Sequence, residues 1–392
     1  MVYSVVNILG SVVEKRPLLR SLKGLKFYVE TRGVYRGRRS YRIGNSVVVF
    51  KVRWRGEQYA MRCYMKGGAH LREIYGDGYY PAELCVEEPF TMRESWIDVV
   101  MCRWEGGESL SCTVAEAVRR DDRETLASLS HNFDILALEM LRSEWSHGDL
   151  SGENIIVTPS GELRLIDFDS KFLPEFEGEV GTSRGTQAYQ SPRRGCEDFN
   201  RHTDDFSLAL ISTALKMLSI DPSIYNLYPY EDGLLFNPVK IARGECRAFS
   251  YTKRLLLEMG LIANYRIAEV VERCDVCAPD LDIYFRELVE SEVGRYPLDV
   301  DDLHVTICEG RCGYSNRAGE TVIAHLYDEA LEFKRDHAMV KADGVWFFTN
   351  RYGSSTVCCG EFNEVHSFNG NRCHARRNNG WGVLFRDGKF VN

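Results

Sequence analysis

The stretch that decides the fold reads WSHGDLSGENIIV from Trp145 to Val157, and LRLIDFDSKF follows it from Leu163 to Phe172. In the first stretch Asp149 stands five residues before Asn154, on a loop between a helical pattern and the strand-like IIV. In the second stretch Asp167 ends an apolar, strand-like run. Carboxylate and amide oxygens are hard ligands of the kind that magnesium prefers. The two stretches therefore predict a loop-borne metal site.

The flanking sequence predicts a mixed α+β chain. Apolar residues recur at helical spacing from Glu124 to Arg142, and two later stretches, from Asp204 and from Tyr251, are strongly helical. From Tyr41 to Met65, β-branched and aromatic residues alternate with polar ones around an Arg55-Gly56 pair, which is a hairpin signal. We therefore expect a small strand-rich lobe before a larger helical lobe.

Further motifs follow the opening stretch in a fixed order. The chain reads YAMRC around Arg62 on a predicted strand, and later HGDL, DFD, YQSP and TDDFSLALI. This order resembles bacterial members of the protein kinase-like superfamily over about residues 29–290. The matching residues after the strand are His147, Gly148, Asp149, Asn154, Asp167, Phe168, Asp169, Tyr189, Gln190, Pro192, Asp204, Phe206 and Ser207.

The resemblance implies a kinase-like two-lobe fold, with ATP and Mg²⁺ as cofactors. It implies that Asp149 deprotonates or orients an acceptor hydroxyl, and that Asn154 and Asp167 bind the metal. Arg62 would hold the phosphates, and Asp204 would brace the backbone of the catalytic loop. The residues expected to act in catalysis are Asp149, Asn154 and Arg62.

The nucleotide side of the expected site is less regular. Glu73, eleven residues after Arg62, is the expected carboxylate partner of that side chain, the alternative being an exposed surface residue. The turn that covers the phosphates has a single glycine, Gly44, in IGNSVVVF. In VVMCRWEGG, the backbone groups of Cys102, Arg103 and Trp104 are the expected contacts of the adenine. We therefore expect a shortened cover over the nucleotide.

Four positions depart from the pattern of typical protein kinases. Arg62 replaces a lysine, and Gly148 replaces an arginine that grips a phosphate on the activation segment. Ser151 stands where a lysine faces the transferred phosphoryl group, and Asp169 replaces a glycine. Two readings stay open. The chain is either a phosphotransferase acting on a hydroxyl of a protein or small molecule, or a pseudokinase that serves as a nucleotide-binding or non-catalytic scaffold.

The C-terminal part contains an internal repeat. Phe333 and Phe368 are 35 residues apart, as are Trp346 and Trp381. A weaker copy lies 34 residues before the first, with Cys312 at the tryptophan position. The Gly-Trp-Gly of the last copy resembles WG-type repeats of bacterial proteins. Since such units bury their faces only against neighbours, we expect three β-rich repeats that form a packing or interaction module with a possible protein partner.

Length and composition bound the remaining expectations. A chain of 392 residues exceeds a single core, so we expect an N-lobe at 1–105, with 1–28 as an extension, a C-lobe at 106–297 and repeats at 298–392. The net charge of −8 argues against general nucleic-acid binding. The basic stretch from Lys15 to Arg42 is interpreted as a solvated face, the alternative being a surface for a phosphate-bearing or acidic partner. Without a long apolar run, no membrane contact and a cytoplasmic location are expected.

The thirteen cysteines predict reduced thiols rather than a disulfide framework. Four of them could be drawn as a zinc site, since Cys274 and Cys277 are followed by Cys308 and Cys312. However, Cys308 and Cys312 fall on repeat positions held by ordinary packing residues in the next copy. We therefore expect buried thiols rather than zinc ligands.

Overall fold

The computed structural model of the chain describes residues 28–29, 41–43, 47–54, 56–65, 68–87, 94–292, 302–334, 337–351, 353, 355–366, 372–378, 380–385 and 388–391. Most of the basic stretch, Gly44 and the predicted boundary at 297 and 298 lie outside these residues. The chain divides into two compact units. The first comprises residues up to Gly107 together with Ile166–Lys171, and the second comprises Glu108–Leu165 and Phe172–Asn392. The predicted three-part division stays a prediction.

The first unit is built on an antiparallel sheet with the order β1-β3-β4-β6-β5, in which β2 also pairs with β3. Its strands are β1 (Tyr28–Val29), β2 (Tyr41–Ile43), β3 (Val47–Trp54), β4 (Glu57–Tyr64), β5 (Tyr79–Glu87) and β6 (Glu94–Arg103). The predicted hairpin is confirmed, since Trp54 pairs with Glu57 across a two-residue turn and Gly56 has a φ of 88°. A short helix, α1 (Leu71–Tyr75), precedes β5.

The second unit begins with helices around a small sheet. Its elements before the repeats are β7 (Glu108–Ser109), α2 (Leu110–Arg119), α3 (Arg123–Leu141), β8 (Ile155–Val157), β9 (Leu163–Leu165), α4 (Asp205–Ile220), α5 (Ile224–Leu227), α6 (Pro238–Ala242), α7 (Arg247–Glu258), α8 (Ile262–Arg273) and α9 (Leu281–Glu292). The apolar helix α4 is buried almost throughout and packs against α3 and α8. The long pattern from Tyr251 forms two helices, because the backbone turns at Gly260 with a φ of 69°.

The opening stretch forms a loop held at both ends. It leaves α3 and enters β8, which pairs with β7 on one side and β9 on the other. At its start, the backbone of Ser146 forms a bridge with Phe172. The loop residues are therefore fixed by a helix, a strand and a bridge rather than by a free turn.

Each of the three repeats forms its own antiparallel sheet. The first contains β10 (His304–Cys308), β11 (Arg311–Ser315) and β12 (Thr321–Tyr327); the second contains β13 (Glu329–Ala330), β14 (His337–Ala342), β15 (Val345–Asn350) and β16 (Ser355–Glu361); the third contains β17 (Glu364–Val365), β18 (Arg372–Arg377), β19 (Gly380–Phe385) and β20 (Phe390–Val391). The predicted three β-rich copies are confirmed. Helices and strands together make the described chain α+β. Within the described ranges, no helix has the length and apolar character needed to cross a membrane.

Candidate functional site

Arg62 lies at the centre of the sheet of the first unit. It occupies β4 between Val49 of β3 and Val100 of β6, and only 6% of its surface is exposed. A buried guanidinium needs carboxylate partners to offset its loss of hydration. The contacts of Arg62 therefore define the electrostatics of this part of the first unit.

Two carboxylates of the DFD motif supply those partners. The Nη2 of Arg62 donates to Oδ1 of Asp167 at 2.5 Å and to Oδ2 of Asp169 at 2.6 Å. Burial by itself lowers the pKa of Arg62, but the negative charges of Asp167 and Asp169 outweigh it, so that the pKa is raised above its ordinary value. Asp167 adopts a φ of 68°, a left-handed conformation that Asp tolerates better than bulkier residues. Its side chain keeps 37% of its surface exposed, so a metal ion has access to it.

The ion pair predicted between Arg62 and Glu73 is not formed. Glu73 lies on α1 with its side chain exposed, and the carboxylates that meet Arg62 among the described residues are Asp167 and Asp169. Helix α1 instead contributes Tyr75, whose hydroxyl donates to Oδ1 of Asp169 at 2.6 Å. The sequence predicts the correct helix but the wrong side chain.

The predicted adenine edge lies at the end of β6. Cys102 pairs with Ala60 and Arg103 with Tyr59, while the N–H of Trp104 donates to the carbonyl of Gln58 at 3.0 Å. Since backbone groups of a strand alternate in direction, the N–H and C=O of Arg103 face away from β4. Burial raises the pKa of the Cys102 thiol to about 11, which makes it a poor nucleophile. Of the three predicted residues, Arg103 is best placed to offer backbone groups.

Met101 belongs to the same edge and is missed by the sequence prediction. The ladder between β5 and β6 ends where Tyr79 pairs with Val100, one residue before Met101. Its carbonyl faces Gly78, where a Cβ would approach it to 3.0 Å. Since Met101 and Arg103 are two residues apart on one strand, their backbone groups face the same way. Only the pairing of the strands reveals this direction.

In the loop before β8 of the second unit, the side chains of Asp149 and Asn154 are held by backbone groups. The Nδ2 of Asn154 donates to the carbonyl of Asp149 at 2.8 Å, as the five-residue spacing allows. Among the described residues, no protein donor meets Oδ1 of Asn154, so this atom remains a suitable metal ligand. Oδ1 of Asp149 accepts a hydrogen bond from the backbone N–H of Thr186 at 2.6 Å. No donor in the described part of the chain meets its Oδ2.

Asp204 braces this loop as predicted. Its fully buried carboxylate, just before α4, accepts hydrogen bonds from the backbone N–H groups of His147 and Gly148, the latter at 3.1 Å. Burial raises the pKa of Asp204, whereas His147 and the two N–H groups oppose that rise. The carboxylate therefore fixes the loop backbone just before Asp149.

A buried arginine beneath the loop is a second residue that the sequence does not reveal. Arg194 has 6% of its surface exposed, and its Nη2 donates to the carbonyl of Gly148 at 2.9 Å. Its Nη1 donates to the side-chain oxygen of Gln190, within the YQSP motif. Burial lowers the pKa of Arg194, and nearby carboxylates, including Asp204, partly oppose this effect. A cation thus lies beside Gly148, where the family pattern has an arginine.

The cysteines do not form the zinc site that could be drawn from their spacing. Cys274 and Cys312 are buried, and Cys308 is exposed in the first repeat. Among the described residues, the group of potential metal ligands is Cys277 with His202 and Asp205. There, Nδ1 of His202 lies 3.0 Å from Oδ2 of Asp205, and Arg201 donates to its Nε2 at 3.1 Å. Because the guanidinium of Arg201 already donates to Nε2 of His202, these side chains form a hydrogen-bonded cluster at the start of α4.

The three repeats share one hairpin register. Cys312 pairs with Ile307, Trp346 with Lys341 and Trp381 with Arg376, at the same offsets as the sequence repeat. Residues 313–346 match the family model described as a WG containing repeat. No curated protein matches the chain. The C-terminal part of the chain therefore carries a WG repeat.

The repeats differ in how their tryptophan positions are covered. Trp346 is 2% exposed, and its Nε1 donates to the carbonyl of Phe362, at the start of the next WG repeat, at 3.2 Å. Trp381 is 48% exposed. The tryptophan of one repeat is thus covered by the repeat that follows it.

Proposed function

We propose that this protein is an atypical ATP- and Mg²⁺-dependent phosphotransferase that transfers the γ-phosphoryl group to a hydroxyl acceptor on a protein or a small molecule. The observation that carries the proposal is the catalytic loop. Asn154 and Asp204 restrain its backbone, while Oδ2 of Asp149 and Oδ1 of Asn154 meet no protein donor among the described residues. A loop that is tightly held and yet leaves these two oxygens accessible is suited to orient an acceptor and a metal ion.

The first unit supports the proposal with charge and a second metal ligand. The guanidinium of Arg62 can fork onto phosphate oxygens, although it is bulkier than the lysine of the family pattern. Asp167 is partly exposed and supplies a hard oxygen ligand. The backbone groups of Met101 and Arg103 are suited to bind a purine edge. The phosphates, the metal ion and the purine edge thus each have a proposed partner in the first unit.

The chemistry assigns one role to each side chain. The acceptor oxygen forms a bond to the γ-phosphorus, and the bond from that phosphorus to the β–γ bridging oxygen breaks, so that ADP leaves with the electron pair. The proton of the acceptor hydroxyl passes to the carboxylate of Asp149. When bound, Mg²⁺ neutralises charge on the phosphate oxygens. Asn154 and Asp167 would supply metal ligands, and Arg62 would bind phosphate oxygens.

A pseudokinase scaffold is the second candidate, and a specific observation favours it. Oδ1 of Asp149 already accepts the N–H of Thr186 at 2.6 Å, and Oδ1 of Asp167 already accepts Arg62 at 2.5 Å. Protein donors that satisfy both carboxylates would suit a chain that binds partners through its WG repeats and performs no transfer. The thirteen cysteines support a reducing, cytoplasmic setting for either function.

The experiment that tests the proposal uses the full chain and two substitutions with separate effects. With ATP and Mg²⁺ at about ten times the dissociation constant, the thermal midpoint of the parent should rise by about 3 °C. Asp167→Asn should abolish the rise, because it removes a metal ligand. Asp149→Asn should keep the rise but lower ATP turnover by at least about a hundredfold. Asp77→Asn, an exposed carboxylate of the first unit, is the matched control and should change neither quantity.

The outcomes distinguish the two candidates. Absence of a thermal shift in the parent would exclude nucleotide binding and leave the non-catalytic scaffold. A shift without turnover in the parent, with every candidate acceptor class, would favour a nucleotide-binding pseudokinase. Turnover that survives Asp149→Asn would remove Asp149 from the proposed role.

A further inference from the structure

The DFD motif of the first unit places a second carboxylate where a nucleotide site of this kind does not require one. Asp169 lies two residues after the metal ligand Asp167, and it is the more buried of the two, with 29% against 37% of the side-chain surface exposed. Its two oxygens accept three hydrogen bonds from protein side chains. A carboxylate with that many donors is held in one orientation.

The donors to Asp169 come from separate elements. The hydroxyl of Tyr64 in β4 and that of Tyr75 in α1 each donate to Oδ1 at 2.6 Å. Nη2 of Arg62 donates to Oδ2 at 2.6 Å. Burial raises the pKa of both tyrosines, so they remain neutral donors. The two phenols therefore turn the other oxygen of Asp169 toward the guanidinium.

Arg62 is held from two further directions. Its Nε donates to the hydroxyl of Tyr64 at 3.2 Å, and the same Nη2 that meets Asp169 also meets Asp167. Asp167 is the carboxylate that a metal ion would engage. Once its oxygen turns to an ion, Arg62 loses one of its two charged partners, and a buried arginine without a partner is costly. Asp169 is the carboxylate that remains.

We infer that Asp169 is the residue that positions Arg62 on the phosphates, in the place that the sequence assigns to Glu73. The pairing of Asp169 with Arg62 rests on the described contacts, and its effect on phosphate binding rests on the proposed function. Asp169 retains the guanidinium when Asp167 is engaged by the metal ion. The short helix α1 contributes to this arrangement through the hydroxyl of Tyr75 and not through a carboxylate.

A double-mutant cycle tests the pairing without any nucleotide. Arg62→Ala and Asp169→Asn should each lower the thermal midpoint by about 4 °C or more, and the double variant should lose little more than Arg62→Ala alone. The cycle of Arg62→Ala with Glu73→Gln is the matched control and should be additive. Because Asp169→Asn can impair folding, Tyr75→Phe serves as a milder variant that removes one donor to the same carboxylate.

Binding of ATP with Mg²⁺ tests the consequence. Asp169→Asn should weaken binding about tenfold and Tyr75→Phe about threefold, whereas Glu73→Gln should change it less than twofold. Additive effects of Arg62→Ala and Asp169→Asn would overturn the pairing, whether or not the parent binds ATP. Equal or larger weakening by Glu73→Gln would return the positioning role to Glu73. If the effects of the two substitutions on the thermal midpoint are not additive and the parent does not bind ATP, the proposed function would be overturned and the pairing would stand.

Discussion

At the scale of single residues, the backbone conformation at Gly148 explains why a glycine stands there in place of an arginine. Gly148 has a φ of 79°, its N–H donates to Asp204, and its carbonyl accepts Arg194. A residue with a Cβ is strained in this left-handed conformation. The positive charge therefore comes from Arg194, which reaches the same point of the loop from the segment after the YQSP motif. A side chain at position 148 would therefore carry backbone strain.

Restoring an arginine at Gly148 should destabilise the protein. Gly148→Ala should cost about 1–2 kcal/mol of unfolding free energy from backbone strain, and Gly148→Arg should cost more because a second guanidinium would lie beside buried Arg194. Chemical denaturation measures both. Gly161 has a φ of 85° and open space around it. Gly161→Ala and Gly161→Arg are the matched controls, because they introduce backbone strain without a neighbouring buried arginine. Equal costs for arginine at positions 148 and 161 would contradict the charge argument.

Residue identity alone could not predict the partners of Arg62. The order and spacing of the motifs predict the positions of Asp149, Asn154 and Asp204. The contacts of these residues form within one loop and the start of helix α4. In contrast, Arg62 and Asp169 are 107 residues apart, and a local pattern contains no information about such a pair. Glu73 is the nearest acidic residue on the expected helix, yet its side chain is exposed.

At the scale of elements, the WG repeats were the most predictable part of the chain. A fixed offset of 34 or 35 residues places the same hairpin at the same register each time, since turn residues and strand alternation are local properties. The turns agree with this, because Glu309, Asp343 and Asn378 all adopt positive φ values at equivalent positions. The covering of each tryptophan could not be predicted, because it depends on the neighbouring repeat.

The two equivalent tryptophans should therefore differ in their contribution to stability. Trp346→Ala should lower the free energy of unfolding by about 3–5 kcal/mol, because it empties a buried site and removes the hydrogen bond to Phe362. Trp381→Ala should cost less than about 1 kcal/mol, because the ring is half exposed and contacts mainly His366 and Arg376. Urea denaturation of the two variants makes the comparison. Similar costs would contradict the view that each repeat covers the tryptophan before it.

At the scale of the second unit, the WG repeats and the helices share one apolar core. Ile267 of α8 belongs to the same cluster of buried residues as Tyr314 of the first repeat and Phe347 of the second. Polar contacts reinforce it, since the hydroxyl of Tyr265 donates to Asp343 at 2.5 Å. The repeats therefore pack against the helices of the second unit and share their core with them.

Arg266 links helix α8 to the repeats by hydrogen bonds. It lies in α8 with 2% of its surface exposed, donates from Nε to the carbonyl of Leu326 at 2.8 Å and from Nη2 to Asp328 at 2.7 Å, both in the first repeat. Arg266→Ala leaves Asp328 without this partner and should lower the free energy of unfolding by about 3–5 kcal/mol. Arg254→Ala, which removes an exposed side chain of α7, is the matched control and should cost less than about 1 kcal/mol.

The same variants show whether the repeats and helices unfold together. In the parent, tryptophan fluorescence, to which buried Trp346 of the second repeat contributes, and helical circular dichroism should report one coincident transition, because a shared core makes unfolding cooperative. Arg266→Ala should shift both signals to lower urea concentration or separate them, with fluorescence changing first. Trp54, Trp96 and Trp104 lie in the first unit, so the comparison uses a variant with phenylalanine at these three positions. Two separate transitions in that variant would contradict a shared core. They would instead make the repeats an independent module, and Arg266 would then contribute only to the stability of its own helix.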